Sequence, residues 1–141
     1  MPATLIHIVI DANDPLAQAR FWADALGYYL EDTTDLINRV LGSGHATRDD
    51  IHEDDGRFYW NDLVGIGDPS STGPRLLFQR NPDTKADKNR LHLDLNVGNE
   101  QRDAEVERLR QVGAEFLYEI DEPAGHHVTM ADPEGNEFCV Q

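Results

Sequence analysis

Leu91-His-Leu-Asp-Leu-Asn-Val97 alternates apolar and polar residues without a break. A period of two is the signature of a half-buried β-strand. Leu91, Leu93, Leu95 and Val97 mark one face, and His92, Asp94 and Asn96 mark the other. Downstream, a helix opens at Asn99 or Glu100 and runs to Val112. Val106, Leu109 and Val112 fall at helical spacing, and Gly113 supplies the stop. Ala114–Glu119, His126–Ala131 and Asn136–Gln141 read as three further strands. The tight turn Asp132-Pro-Glu-Gly135 joins the last two.

The same order stands upstream. Leu5–Asp11 (LIHIVID) reads as a strand. Asp14 caps a helix that has Pro15 at its first position and Gly27 as its stop. Leu16, Ala19, Trp22, Ala23 and Leu26 form its apolar stripe. Tyr28–Glu31, Val64–Ile66 and Arg75–Arg80 (RLLFQR) read as the following strands. In both halves a strand histidine, His7 or His92, precedes the helix-ending glycine by about 20 residues. The chain is thus read as two βαβββ modules. Inside the first module, between its second strand and the later ones, lie Thr33–Leu41 as a short helix, the breaker Gly42-Ser-Gly44, an acidic stretch HATRDDIHEDDG read as an exposed loop, and Arg57–Trp60 as a strand piece. Asp68-Pro-Ser-Ser-Thr-Gly-Pro74 is a turn cluster.

Length and composition agree with a single domain over 1–141, made of modules at about 1–80 and 90–141. The chain has 141 residues, 39% of them hydrophobic and 28% charged. Twenty-seven acidic side chains against 12 basic ones give a net charge of −15. Such a balance excludes phosphate-backbone binding and attraction to anionic membranes, so neither nucleic acid nor membrane is an expected partner. Cys139 is the only cysteine, which forbids an internal disulfide and suits a reducing, cytoplasmic setting. No apolar run is long enough to span a bilayer, and the N-terminus lacks the pattern of a signal peptide.

The stretches IHIVIDANDP…RFWADALGY, KNRLHLDLNV and DPEGNEFCV resemble the vicinal oxygen chelate superfamily, which includes glyoxalase I, the extradiol dioxygenases, and the fosfomycin-resistance and bleomycin-binding proteins. The ending, with an upstream H-x-D-L strand, is most similar to the glyoxalase-like domain branch. The resemblance implies an α+β fold of two βαβββ modules forming a curved, incomplete barrel or cup, commonly in a homodimer. It also implies a small oxygen-bearing organic ligand in the cup, and a divalent metal (Zn, Fe, Ni or Mn) on one ligand from each of four strands. Carried over residue by residue, those positions fall on His7, Gln79, His92 and Cys139. The family uses carboxylates where this chain has Gln79 and Cys139. Gln is a poor ligand for these ions, whereas a Cys thiolate is a good zinc ligand. Loss of the carboxylate also removes the usual proton acceptor of isomerase chemistry. The alternative is a metal-free binding protein of the antibiotic-sequestering type, whose cationic ligand the acidic chain would suit.

Glu137 shares a strand face with Cys139 and is the candidate for the missing carboxylate, as ligand or catalytic acid–base. Phe58 and Trp60 share a face and read either as core or as the wall of a planar ligand. Lys85, Lys88 and Arg90 form a local basic run just before His92. They read either as a solvated loop or as a clamp for an anionic ligand. Asp94, on the face of His92, is a candidate ligand contact. His126 and His127 point to opposite faces and do not form a chelating pair.

Overall fold

The structure is a computed structural model that describes residues 1–141. It divides into two compact units, Met1–Asp83 and Thr84–Gln141. In the first, β1 (His7–Ala12) leads into α1 (Pro15–Leu26) and β2 (Tyr29–Leu30). An insertion follows, with α2 (Thr34–Gly42) and the hairpin β3 (Ile51–Asp54) and β4 (Arg57–Trp60). The chain then returns through β5 (Leu63–Gly67) and β6 (Arg75–Arg80). The second unit runs β7 (Asp94–Leu95), α3 (Arg102–Gln111), β8 (Glu115–Glu122), β9 (Gly125–Ala131) and β10 (Glu137–Val140).

Both units build one topology. The first sheet has the order β1-β6-β5-β2 and the second β7-β10-β9-β8. In each, the first strand of the unit lies parallel to the last, and the other pairings are antiparallel. The repeat expected from the two histidine strands is therefore a repeat of fold, and the α+β architecture is as expected.

Local chemistry explains the elements. The Asp14 side chain accepts a hydrogen bond from the Ala17 amide at 3.1 Å, which satisfies one of the unpaired donors of α1. Gly27 ends the helix at φ 68°, a left-handed conformation that disfavours side chains. On β1 and β6 the alternation is visible in burial. Leu76 and Phe78 are buried with Val64 and Ile66 under Ala19 and Trp22 of α1, while His7, Val9, Asp11 and Gln79 stay exposed. Phe21 and Trp22 are both core and meet edge to face, with ring centroids 5.3 Å apart. In the second unit Leu95, Val128, Met130, Phe138 and Val140 are buried together with Leu109 of α3.

Two expectations need correction. The acidic stretch after Gly44 is not all loop. It contains a short 3-10 turn, Arg48–Asp50, and then β3, whose residues pair with β4 from Ile51↔Trp60 to Asp54↔Arg57. Its acidic composition hid a strand that is stabilised by its partner. Conversely, the regular ladder of the Leu91–Val97 strand shrinks to Asp94–Leu95. Cys139 N donates to Leu93 O, but Leu91 is exposed and unladdered. Alternation reports which way side chains point, not whether a neighbouring strand is long enough to pair.

Candidate functional site

Both expected histidines are exposed: His7 opens β1, and His92 lies two residues before β7. In the first unit His7 stands beside Arg75 in the parallel ladder, and Gln79 stands beside Asp11. His7 and Gln79 are thus four ladder positions apart, about 13 Å at strand rise. The register does not bring them together. Arg75 is instead held by Glu31, whose carboxylate receives two charge-assisted hydrogen bonds, from Nε at 2.6 Å and from Nη2 at 2.8 Å. The hydrogen bonds that Arg75 donates to Glu31 raise its pKa, against the opposing effect of burial.

Two glycines of β5 make room for this arrangement. A Cβ on Gly65 would lie 2.1 Å from Glu31 Oε2 and 2.8 Å from Arg75 Nη2. One on Gly67 would lie 2.6 Å from the Tyr29 hydroxyl. The ion pair and the tyrosine ring therefore lie flat against bare backbone. Beside them is a pocket of about 490 Å³, lined by His7, Tyr29, Glu31, Asp68 and Arg75 among others. Asp68 shapes its rim. It accepts from Ser70 N, Ser70 Oγ, Gly73 N and Thr72 Oγ1, and these bonds hold its carboxyl at about 2.

In the second unit the register pairs Cys139 with Asp94. One ligand atom from each of His92, Asp94 and Cys139 lies within 4.8 Å of the others. His92 Nδ1 is 3.7 Å from Asp94 Oδ1, and Cys139 Sγ is 3.5 Å from the hydroxyl of the buried Thr129. Nitrogen, carboxylate oxygen and thiolate sulfur are the donor types zinc takes. On one tetrahedral ion such donors sit about 3.4–3.6 Å apart, so the spacing accepts an ion after shifts of about 1 Å. The residues fit a divalent metal. Sequence reasoning placed Asp94 with the ligand contacts rather than with these donors. Its i, i+2 spacing from His92 and its registration with Cys139 are the signals that group the three.

Glu137 lies on the same strand but offers no free carboxylate. Oε1 accepts from Lys85 Nζ at 2.9 Å, and Oε2 accepts from Asn89 N at 2.9 Å. Burial alone would raise its pKa. Lys85 and the Asn89 amide overcome that and hold it at about 2. Lys85, read from sequence as part of a basic run, is spent on this contact, while Lys88 and Arg90 remain exposed. Phe58 and Trp60 stand on the inserted hairpin rather than on either main sheet. Arg48 lies over the Phe58 ring, 5.1 Å from its centroid, and Trp60 lines a separate pocket of about 390 Å³ with Arg20, His52 and Arg80. The buried aromatic between them is Tyr59.

Comparison with known proteins places the fold. Residues 7–141 match the model of the glyoxalase-like domain family. No curated protein matches the chain in sequence. Among solved structures, the chain is similar to a glyoxalase/bleomycin resistance protein/dioxygenase family enzyme from Burkholderia phytofirmans, with TM-score 0.65, 14% identity, and coverage of 98% of this chain and 97% of that one. It is also similar to a mutant of the fosfomycin resistance protein FosX from Listeria monocytogenes, complexed with Mn(II) and a dihydroxypropylphosphonic acid (TM-score 0.64, 13% identity, 100% and 90% covered). A third is a bleomycin-binding protein from Streptomyces verticillus complexed with copper(II)-bleomycin (TM-score 0.53, 18% identity, 100% and 97% covered). At these identities the likeness is one of fold. With two matched βαβββ units and a family match running from the first histidine strand to the last residue, the chain belongs to the glyoxalase-like domain family of the vicinal oxygen chelate superfamily.

Proposed function

We propose that this protein binds a small oxygen-bearing organic molecule with the help of a divalent metal held by His92, Asp94 and Cys139, the whole chain acting as one domain. The observation that carries the reading is the convergence of those three donors, within 4.8 Å of one another, where β7 pairs with β10. When bound, such a metal supplies Lewis-acid polarisation of a ligand oxygen. The residues contribute the rest. The His92 ring and the Asp94 carboxylate are half-exposed and open to a ligand, whereas Cys139 is anchored above the buried Thr129. Both oxygens of Glu137 are engaged, by Lys85 Nζ and by Asn89 N, so neither is free to take a proton from a bound molecule, which favours activation of a ligand oxygen over isomerisation by a carboxylate base. Within the first unit, the pocket beside the Glu31–Arg75 pair, with His7 in its wall, is a candidate ligand pocket of its own. The FosX neighbour, which binds Mn(II) and a phosphonic acid, lends the reading support as a fold analogy.

Metal analysis of protein purified without chelator tests this, together with thermal shifts in Zn²⁺, Ni²⁺, Mn²⁺ and Fe²⁺. Retained metal, and a stabilisation lost in His92→Ala and Cys139→Ser, is the expected result. No metal and no shift with any of the four ions overturns it. A second reading is a metal-free binder of a cationic molecule. It is favoured by the charge of −15 and by a cysteine where the superfamily supplies a carboxylate. The bleomycin-binding neighbour is its analogue. Saturable binding of a cationic glycopeptide by the chelator-treated protein supports it, and absence of binding counts against it. Both readings take the protein as a cytoplasmic homodimer, which light scattering checks: a single 15.9 kDa species refutes the dimer.

A further inference from the structure

Three features of the second unit lack a role in the site described so far: the Asp132-Pro-Glu-Gly-Asn136 turn, the Lys85–Asn89 segment, and the carboxylate of Glu137. They form one connected network. The buried Asp132 carboxylate accepts from the amides of Glu134 and Asn136 at 3.0 and 2.9 Å and from the Asn136 side chain at 3.2 and 2.9 Å. The other end of the Asn136 amide accepts from the Asn89 side chain at 3.1 Å. Asn89 N donates to Glu137, and Lys85 Nζ bridges Glu137 and the carbonyl of Asp87, at 2.9 and 2.7 Å. Gly135, at φ 90°, sits under this bridge, and a Cβ there would touch Lys85 Cδ at 3.8 Å. The Lys85 and Glu137 side chains are only 21% and 16% exposed, so the pair is shielded from competing water.

The placement of the network gives it a purpose. Glu137 lies two residues before Cys139, and Asn89 lies three residues before His92. The ladder between these segments is short: β7 has two residues, and Leu91 is outside it. Backbone pairing therefore reaches from Leu95 back to Leu93, whose carbonyl accepts from Cys139 N at 3.0 Å, but residues 89–92, His92 among them, lie outside the ladder. We infer that Glu137 and Lys85 are positioning residues, forming a clamp that holds the His92 segment against β10 so that His92, Asp94 and Cys139 converge. This inference rests on the metal reading given above. It assigns Glu137 a different task from that of a ligand or a base, and makes Lys85 a tether rather than an anion clamp.

Cobalt(II) titration of the full chain tests the clamp, because a thiolate bound to Co²⁺ gives an intense near-ultraviolet charge-transfer band. The variants are Glu137→Gln, Lys85→Met, the conservative Lys85→Arg, and Lys88→Met as a charge-matched control at an exposed site. Outer hydrogen-bond partners of metal ligands typically change affinity about 10- to 100-fold when removed. The expected result is Co²⁺ affinity weakened about 10-fold or more in Glu137→Gln and Lys85→Met, with a weakened thiolate band. Lys85→Arg recovers most of the loss, and Lys88→Met matches the parent protein. Faster amide exchange at residues 89–93 in the two weakened variants, measured without metal, is the accompanying signature. If the parent protein binds Co²⁺ and the two variants bind it equally well, the clamp is overturned and the metal reading stands. If the parent protein binds no Co²⁺, the metal reading falls and takes the clamp with it.

Discussion

Replacing Gly65 with Ala probes how the first sheet carries its ion pair. The backbone of β5 accepts alanine, so the effect comes from what the new methyl meets. It would stand 2.1 Å from Glu31 Oε2 and 2.8 Å from Arg75 Nη2. Normal contact requires roughly 3.5 Å, so the carboxylate must retreat by about 1.4 Å. A shift of that size cannot keep both bonds of the Glu31–Arg75 fork, now 2.6 and 2.8 Å. The pair is partly exposed, at 24% and 34%, so its net worth is modest, about 1–2 kcal/mol. Against this, Gly→Ala restricts the unfolded chain and favours folding by about 0.4–1 kcal/mol. Gly65→Ala alone should therefore destabilise by about 1 kcal/mol, or a few degrees in Tm for a chain of this size. In a Glu31→Ala background the nearest obstacle is gone, and the long Arg75 side chain, no longer held by the carboxylate, can swing aside. There the same substitution should be neutral, or stabilising by up to about 1 kcal/mol. Urea denaturation of the four proteins closes the double-mutant cycle. Equal destabilisation by Gly65→Ala in both backgrounds refutes the reasoning, because it would show that the ion pair is not what the glycine accommodates.

Other consequences are as direct. Asp68 has a folded-state pKa of about 2, below its usual 3.8, so the stability it confers is present above about pH 4 and lost as pH falls toward 2. The Tm gap between the parent protein and Asp68→Asn should accordingly narrow over that window, and a pH-independent gap contradicts it. Asp14→Ala removes the α1 cap and should cost about 1 kcal/mol by chemical denaturation, and an unchanged stability contradicts the cap. Leu109→Ala empties the one fully buried position of α3 that faces the second sheet and should cost about 2–5 kcal/mol. A loss under 1 kcal/mol would mean that α3 is not docked on its sheet as described.

The parts of this fold legible in the sequence are those where local chemistry and periodicity agree. Asp14, Pro15 and Gly27 bound α1 because a cap, a fixed φ and a left-handed stop are properties of single residues. The polar and apolar faces of the histidine strands could be read because alternation alone sets them. What stayed hidden depends on partners distant in the chain. The β3 strand exists through β4, and nothing in the sequence HATRDDIHEDDG announces it. Glu137 looked like a free carboxylate because Lys85, its partner, lies about 50 residues away. The grouping of Asp94 with Cys139 is a matter of register between parallel strands, which no single-strand pattern encodes. The separation of His7 from Gln79 is the same lesson in reverse, since two residues on adjacent strands share a face and still stand a strand's length apart.

The pairing of first strand with last in each unit also sets the tempo of folding. His7 meets Arg75 only after roughly seventy intervening residues have been made, whereas Asp94 waits about forty-five for Cys139. During synthesis β1 emerges early and stays without its ladder until β6 follows, so its run of isoleucine and valine is exposed for most of that interval. The insertion between β2 and β5 lengthens this wait without adding a strand to the main sheet. Its size is therefore a kinetic variable: shortening it would bring the ends of the first unit together sooner while leaving the finished sheet the same.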